Sequence, residues 1–246
     1  MIERKLTAKS FGNFMRCISI FKDICNDIDI KNGFVRQRTN TCSCVIELDL
    51  SPLIGNIDLP IVCLKQKIDI LKTFNKCDVD IIVNEKSFSF VDANSKITFN
   101  NPNKSFMDNR YITTEDYNTM ILLNPEDLIM ICDVEKIITD RIKKISQAFD
   151  VNNIKVEFKD NKASIISNSQ SKDQEAQFLK DIEVYKDLNC NANIITIPFI
   201  IDHDGPIKMN VYEEAGEDSC ISRFETKIDN IDIVIITRSP LLTDDF

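Results

Sequence analysis

The sequence predicts an α+β protein built from two similar halves, and three observations predict it. Ile and Val are abundant and fall in short alternating runs, the pattern of half-buried strands. The order strand, helix, strands runs through 1–99 and begins again in 120–246, a duplication of pattern rather than of identity. Between them, 100–118 contains Asn101-Pro102-Asn103 and few aliphatics, and reads as a linker. The expected division is a first domain over 1–99, a linker over 100–119 and a second domain over 120–246.

In the first half, Ile2–Thr7 is a short strand. The segment Lys9–Lys22, KSFGNFMRCISIFK, then places Phe11, Phe14, Met15, Ile18 and Phe21 at the spacing of one buried helix face. Asp27–Gly33 and Phe34–Arg38 alternate around Asn32-Gly33, a strong hairpin signal. Thr41–Leu50 is a strand, Ser51–Asn56 a loop and Asp58–Val62 strand-like. Leu64–Phe74 is a helix with Leu64, Ile68 and Leu71 inward and Lys65, Lys67 and Lys72 on its polar side. Three short strands, Val79–Val83, Ser87–Val91 and Lys96–Phe99, complete the half.

In the second half, Leu128–Met130 is strand-like. Asp133–Ala148 is a helix with Val134, Ile137, Ile138, Ile142 and Ile145 inward. Asn153–Phe158 and Ala163–Asn168 form a hairpin, and Phe178–Lys186 is a strand. Asn193–Asp202 is an apolar run leading into one helical turn at Pro198. Lys208–Tyr212, Ser222–Ile228 and Asp232–Thr237 are the closing strands.

The chain has 246 residues, a formal net charge of −9 and 5 glycines, which argues against a glycine-rich phosphate loop. Met1-Ile2-Glu3-Arg4-Lys5 leads into an amphipathic pattern, not a signal-peptide core, and no apolar run approaches a membrane helix. Nine cysteines, an odd number without a CxxC pair, are expected as reduced thiols of a cytoplasmic protein, several of them in the core. His203 is the only histidine, so no metal-ligand spacing exists and no metal or other cofactor is expected. An acid–base or metal site at Asp202-His203-Asp204 is the enzymatic alternative. A polar turn before Gly205-Pro206 explains the triplet better, and the chain is expected not to be an enzyme.

Charge separates by element. Helix 8–22 carries Lys9, Arg16 and Lys22 with no acid before Asp23. Helix 64–74 has three lysines against Asp69. Helix 133–148 has Lys136, Arg141, Lys143 and Lys144 against Asp133, Glu135 and Asp140. The three helices are therefore basic while the remainder of the chain is strongly acidic. That arrangement suits helices that meet a polyanion through salt-sensitive phosphate contacts, without reading sequence.

This element order resembles the two-domain sliding clamps of DNA replication, the PCNA-like proteins and the shorter clamps of tailed phages. The resemblance rests on the basic first helix ending Phe21-Lys22-Asp23, on KIDILKTFNKCDVDIIV from Lys67 to Val83, and on DANSKITF from Asp92 to Phe99 before a polar linker. It rests also on the ending, where Ile231–Arg238 runs into Leu241-Leu242 and Asp244-Asp245-Phe246. What the resemblance implies is two clamp domains with antiparallel sheets outside and helices on the inner face, three chains closing into a ring around duplex DNA. It implies DNA contacts at Lys9, Arg16, Lys22, Lys65, Lys72, Lys136, Lys143 and Lys144. It implies a DNA polymerase and a clamp loader as partners, with an apolar partner pocket near Val45, Ile121, Leu122, Leu123, Pro240 and Leu241. It also implies subunit contacts between an edge strand at Val79, Ile81 and Val83 and the strand of Phe178, Ile182 and Val184. The fourth helix, near Pro198–Asp204, is short and lacks cations. A monomeric processivity factor with one basic face and a viral assembly protein are the alternatives. Asp78, Asp80 and Glu85 against Lys180 and Lys186 favour mutual pairing of strands over a monomer.

Overall fold

A computed structural model describes residues 1–41, 44–74, 76–102, 111–121, 123–168, 175–214 and 216–242. The chain divides into two compact units, Met1–Thr114 with Lys227–Ile233, and Glu115–Thr226 with Val234–Phe246.

The first unit runs β1 (Ile2–Leu6), α1 (Ala8–Ser19), β2 (Ile28–Lys31), β3 (Phe34–Arg38), β4 (Cys44–Asp49), α2 (Ser51–Ile54), β5 (Leu59–Ile61) and α3 (Leu64–Leu71). A 3-10 turn over Lys72–Phe74 follows, then β6 (Val79–Val83), β7 (Ser87–Val91) and β8 (Lys96–Asn100). Its strands form two antiparallel groups, β1–β6–β7–β8 and β4–β3–β2–β5. α4 (Thr114–Met120) and a 3-10 turn over Pro125–Asp127 precede the second unit's strands. That unit then runs β9 (Leu128–Val134), α5 (Lys136–Phe149), β10 (Asn153–Lys159), β11 (Lys162–Asn168), β12 (Glu175–Glu183), β13 (Cys190–Ile195), α6 (Ile197–Ile200), β14 (Ile207–Glu213), β15 (Ser219–Ile228) and β16 (Ile231–Leu242). Its strand groups are β9–β14–β15–β16 and β12–β11–β10–β13. The neighbour order matches the first unit strand for strand, so the repeated pattern in the sequence is a repeated topology.

Local chemistry fixes the key elements. The Thr7 hydroxyl caps α1 by accepting from Ser10 N at 3.2 Å, and Asp78 Oδ1 accepts from Ala8 N at 2.8 Å. Phe11 and Phe14 of α1 pack on Phe90 of β7 at ring-centroid distances of 6.1 and 6.3 Å, and Phe11 meets Phe74 at 6.2 Å. These rings anchor the helix on its sheet. At the β2–β3 hairpin, Asn32 (φ 52°) and Gly33 (φ 76°) are both left-handed, as the mirror-image turn of a two-residue hairpin needs. A Cβ on Gly33 would stand 2.4 Å from Gly55 O. Gly33→Ala is therefore expected to lower stability by about 2 kcal/mol or more, read as a lower urea midpoint with an unchanged slope.

Several boundaries differ from the expectation. The helix expected from Asp133 begins at Lys136. Val134 instead closes strand β9 opposite Ile207 and is buried there. Ile137 points outward at 55 % exposure rather than into the core. The loop expected at 51–56 contains the short helix α2, started by Pro52. In the stretch read as a linker, Tyr111 bridges Gln37, Ile112 N donates to Arg36 O at 3.2 Å, and α4 begins at Thr114. β6 is not an edge strand: it pairs with β1 on one side and β7 on the other, and Val79 and Ile81 are fully buried. Among the described residues, the free ends of that sheet are β1 and β8. Cys17, Cys25, Cys44, Cys190 and Cys220 are buried free thiols, whereas Cys63 is exposed; Cys42 lies outside the described residues. Burial pushes the Cys220 thiol up to about 12 and the Cys132 thiol up to about 11. Among the described residues no helix is long and apolar enough to cross a membrane.

Candidate nucleic-acid interface

α1 buries Phe11, Phe14, Cys17 and Ile18, which leaves Lys9 exposed and Arg16 half-exposed. Lys22 lies just past the helix, in turns held by bonds such as Lys22 N to Ser19 O at 3.1 Å. α3 buries Leu64, Ile68 and Leu71 and exposes Lys65; Lys72 opens the 3-10 turn after it. These cations are not bare. Lys22 Nζ and Lys72 Nζ converge on Asp69 Oδ1 at 3.4 and 2.9 Å, joining the two helical segments. Arg16 Nη1 reaches Asp229 Oδ2 at 3.2 Å, and Lys65 Nζ reaches Asp23 Oδ1 at 3.2 Å. The Lys72 ammonium holds the Asp69 carboxyl below the usual carboxylate range, and Asp69 in turn raises Lys72. Exposed pairs of this kind contribute little to stability. Their effect is to aim the cations and to offer them an internal anion.

Between α1 and the end of α3 lies a groove of about 640 Å³, with Phe11, Met15 and Leu71 along it and Lys9, Lys72 and Lys76 at its rim. Among the described residues Lys9 and Lys76 form no ion pair. Three ammonium groups, that of Lys72 paired with Asp69, stand around one concave surface, and a phosphate backbone fits that chemistry.

In the second unit α5 buries Thr139, Ile142 and Ser146. Lys144 and Arg141 are exposed on the outer side with Ile137, while Lys136 and Lys143 flank the buried stripe and are half-buried. Lys136 Nζ meets Asp140 Oδ1 at 3.4 Å, one helical turn on. α6 is a single turn with Ile197, Pro198 and Phe199 buried and no cation, so the expected short fourth helix is present.

His203 is buried and serves the fold. Its Nδ1 lies 2.7 Å from Gly205 O and its Nε2 lies 3.0 Å from Thr139 Oγ1, which ties the turn after α6 to α5. With Nδ1–H donating to Gly205 O, the Thr139 hydroxyl, whose one proton is directed to Lys136 O at 2.8 Å, sits against Nε2 without fixing its protonation. Desolvation lowers the His203 pKa, with Lys136 acting in the same direction against the Gly205 bond. The folded state thus holds a neutral imidazole, and stability is expected to fall as pH drops below the unfolded value of about 6.5. As the only histidine, it gives a single imidazole resonance. Its NMR titration should have a midpoint below that of a free histidine; one at or above it would contradict this geometry. Among the described residues no three His, Cys, Asp or Glu side chains gather as a metal-holding group.

The other expected site residues are dispersed. Val45 is buried in β4, Ile121 and Leu123 are half-buried, and Leu122 lies outside the described residues. Pro240 is exposed and Leu241 half-buried on β16, where Leu241 opposes Ala192. Phe178 and Ile182 are half-buried on β12, the end strand of its group. Val184 lies just past β12, bridging Met130.

No protein-family model and no curated protein matches the chain by sequence. Its structure does find matches. The crystal structure of Proliferating Cellular Nuclear Antigen from Entamoeba histolytica superposes with a TM-score of 0.63 at 14% identity, covering 96% of this chain and 98% of that one. The chain has the PCNA clamp fold. The A. fulgidus PCNA bound to the C-terminal region of FEN-1 gives 0.62 at 12% identity, over 99% and 100% of the two chains. The PCNA2–PCNA3 complex from Sulfolobus tokodaii gives 0.58 at 11% identity, over 97% and 99%.

As a clamp fold, the molecule has α1 and α3 as one domain's helix pair and α5 and α6 as the other's. Sequence reasoning overlooked Lys76 as a site residue, because it stands outside any helix, in a left-handed turn at φ 63°. It overlooked Arg141, whose exposure beside Lys144 follows from the helix starting at Lys136. It also counted Lys67 with the outer cations, whereas Lys67 folds back over the rings of Phe88 and Phe99.

Proposed function

We propose that the protein is a sliding clamp, a ring of three copies that encircles duplex DNA and tethers a DNA polymerase and other DNA-processing proteins, without catalysis of its own. The observation that carries this reading is the clamp fold with three helices that each hold more cations than acids, in a chain whose net charge is −9. The halves 1–99 and 120–246 serve as its two clamp domains, with 100–119 between them. Lys9, Lys76, Arg141 and Lys144, which form no ion pair among the described residues, supply the main phosphate contacts, and Lys72 joins Lys9 and Lys76 at the groove by exchanging Asp69 for a phosphate. Arg16, Lys22, Lys65, Lys136 and Lys143 add weaker ones, because their ammonium and guanidinium groups are paired or partly covered. A clamp loader opens the ring, and partner proteins dock beside the linker, near Ile121, Leu123 and Leu241. The protein works where the replicating DNA lies, in the cytoplasm of a cell or of a virus's host.

The subunit contact pairs β8 of one copy with β12 of the next. Both strands end their groups and carry half-exposed apolar side chains, Ile97 and Phe99 on β8 and Phe178, Leu179 and Ile182 on β12. Such unpaired ends are templates for strand addition. The test is the absolute mass in solution, by light scattering across concentration. A mass about three times the chain's 28.2 kDa supports the ring, whereas 28.2 kDa at every concentration contradicts it.

A further inference from the structure

Lys67 is the one α3 lysine that turns away from Lys65 and Lys72. It borders the buried stripe of Leu64, Ile68 and Leu71 and is half-buried. Its Nζ lies 4.9 Å from the centroid of the Phe99 ring and 5.4 Å from that of Phe88. Those two rings sit 5.4 Å apart. Phe88 is fully buried on β7; Phe99 is half-exposed on β8, the strand at the free end of its sheet. One cation therefore spans an inner ring and an edge ring. An ammonium half withdrawn from water over two aromatic faces is attracted to both rings.

We infer that Lys67 is a positioning residue for the subunit contact: it fixes the Phe99 ring, and with it the face of β8 against which a second copy of this chain packs. The inference rests on the ring reading above and assigns this side chain's role in it. Burial lowers the Lys67 pKa, while electrostatic interaction with Cys63 and Asp27 raises it.

The experiment compares the full-length wild type with Lys67→Met, which keeps the stem and removes the charge, and with Lys67→Arg, which restores a cation over the rings. Mass is followed by light scattering through a dilution series. The methionine variant is expected to dissociate at a concentration roughly two- to thirtyfold higher than wild type. The arginine variant is expected to match wild type. Equal dissociation of methionine variant and wild type overturns the inference. So does an arginine variant as weak as the methionine one, because stem packing would then be the cause. Urea midpoints taken below the dissociation concentration separate assembly from folding; a methionine midpoint that drops in step with assembly also counts against it. A wild type that is monomeric throughout overturns the ring itself, an outcome legible from the wild-type series alone.

Discussion

Replacing Lys9, Lys72 and Lys76 together by alanine is expected to lower affinity for duplex DNA by about two orders of magnitude at physiological salt. Each phosphate contact changes the slope of log affinity against log salt by about 0.9, which amounts to roughly fivefold per contact near 0.15 M. The three side chains rim one groove, so they can engage a single stretch of backbone together. Fluorescence anisotropy with a short duplex at several salt concentrations gives both affinity and slope. The slope should become shallower by about one for each lysine removed, and random-sequence duplexes should suffer alike. Unchanged affinity would move the DNA contact elsewhere. The companion substitution Asp69→Asn should act in the opposite sense. It releases Lys22 and Lys72 from their shared carboxylate and adds one positive charge to the same face, so binding tightens by several-fold.

The second large effect is expected at the free end of the first sheet. In an antiparallel edge strand successive N–H groups point alternately to the sheet and away from it. Of Ile97 and Thr98 on β8, one therefore donates toward β7 and the other outward. Proline at the outward position removes a donor from the subunit contact alone; at the inward position it also breaks a ladder bond. Both variants should fall from the assembled mass to 28.2 kDa, but one of the two should keep nearly the wild-type thermal midpoint. Trimers that survive both prolines would remove β8 from the interface.

Much of this architecture is legible in the residues because the signals are local. The apolar spacing of Phe11, Phe14 and Ile18 defines α1, and Asn32-Gly33 defines its hairpin, since backbone chirality leaves few residues for two left-handed positions. The misplaced edge shows the opposite case. Asp78 and Asp80 look like the charges that guard an exposed strand. In the structure Asp78 caps α1 through Ala8 N, and Asp80 stands opposite Lys5 of β1. Which strand lies beside which is set by contacts across more than seventy residues, and no window of sequence contains them. The start of α5 was obscured differently. Val134 continues the helical spacing by chance, while its side chain belongs to the strand pairing with β14. The direction of Lys67 could be suspected only once Phe88 and Phe99 were known to be cross-strand partners beneath the helix.

The aspartates that hold the helix cations have a consequence for motion. On the clamp reading, a lysine paired with Asp69 must leave that carboxylate to meet a phosphate, so part of the free energy gained by releasing the DNA's counterions is offset by the carboxylate it uncovers. In the proposed clamp, each ammonium would pass from carboxylate to phosphate and back as the backbone moved beneath it, and the face would behave as a lubricated bearing, its friction set by how evenly fixed anions are matched to mobile ones. By the same reasoning, the Asp69→Asn protein should grip DNA harder and diffuse along it more slowly, a difference that single-molecule tracking would register.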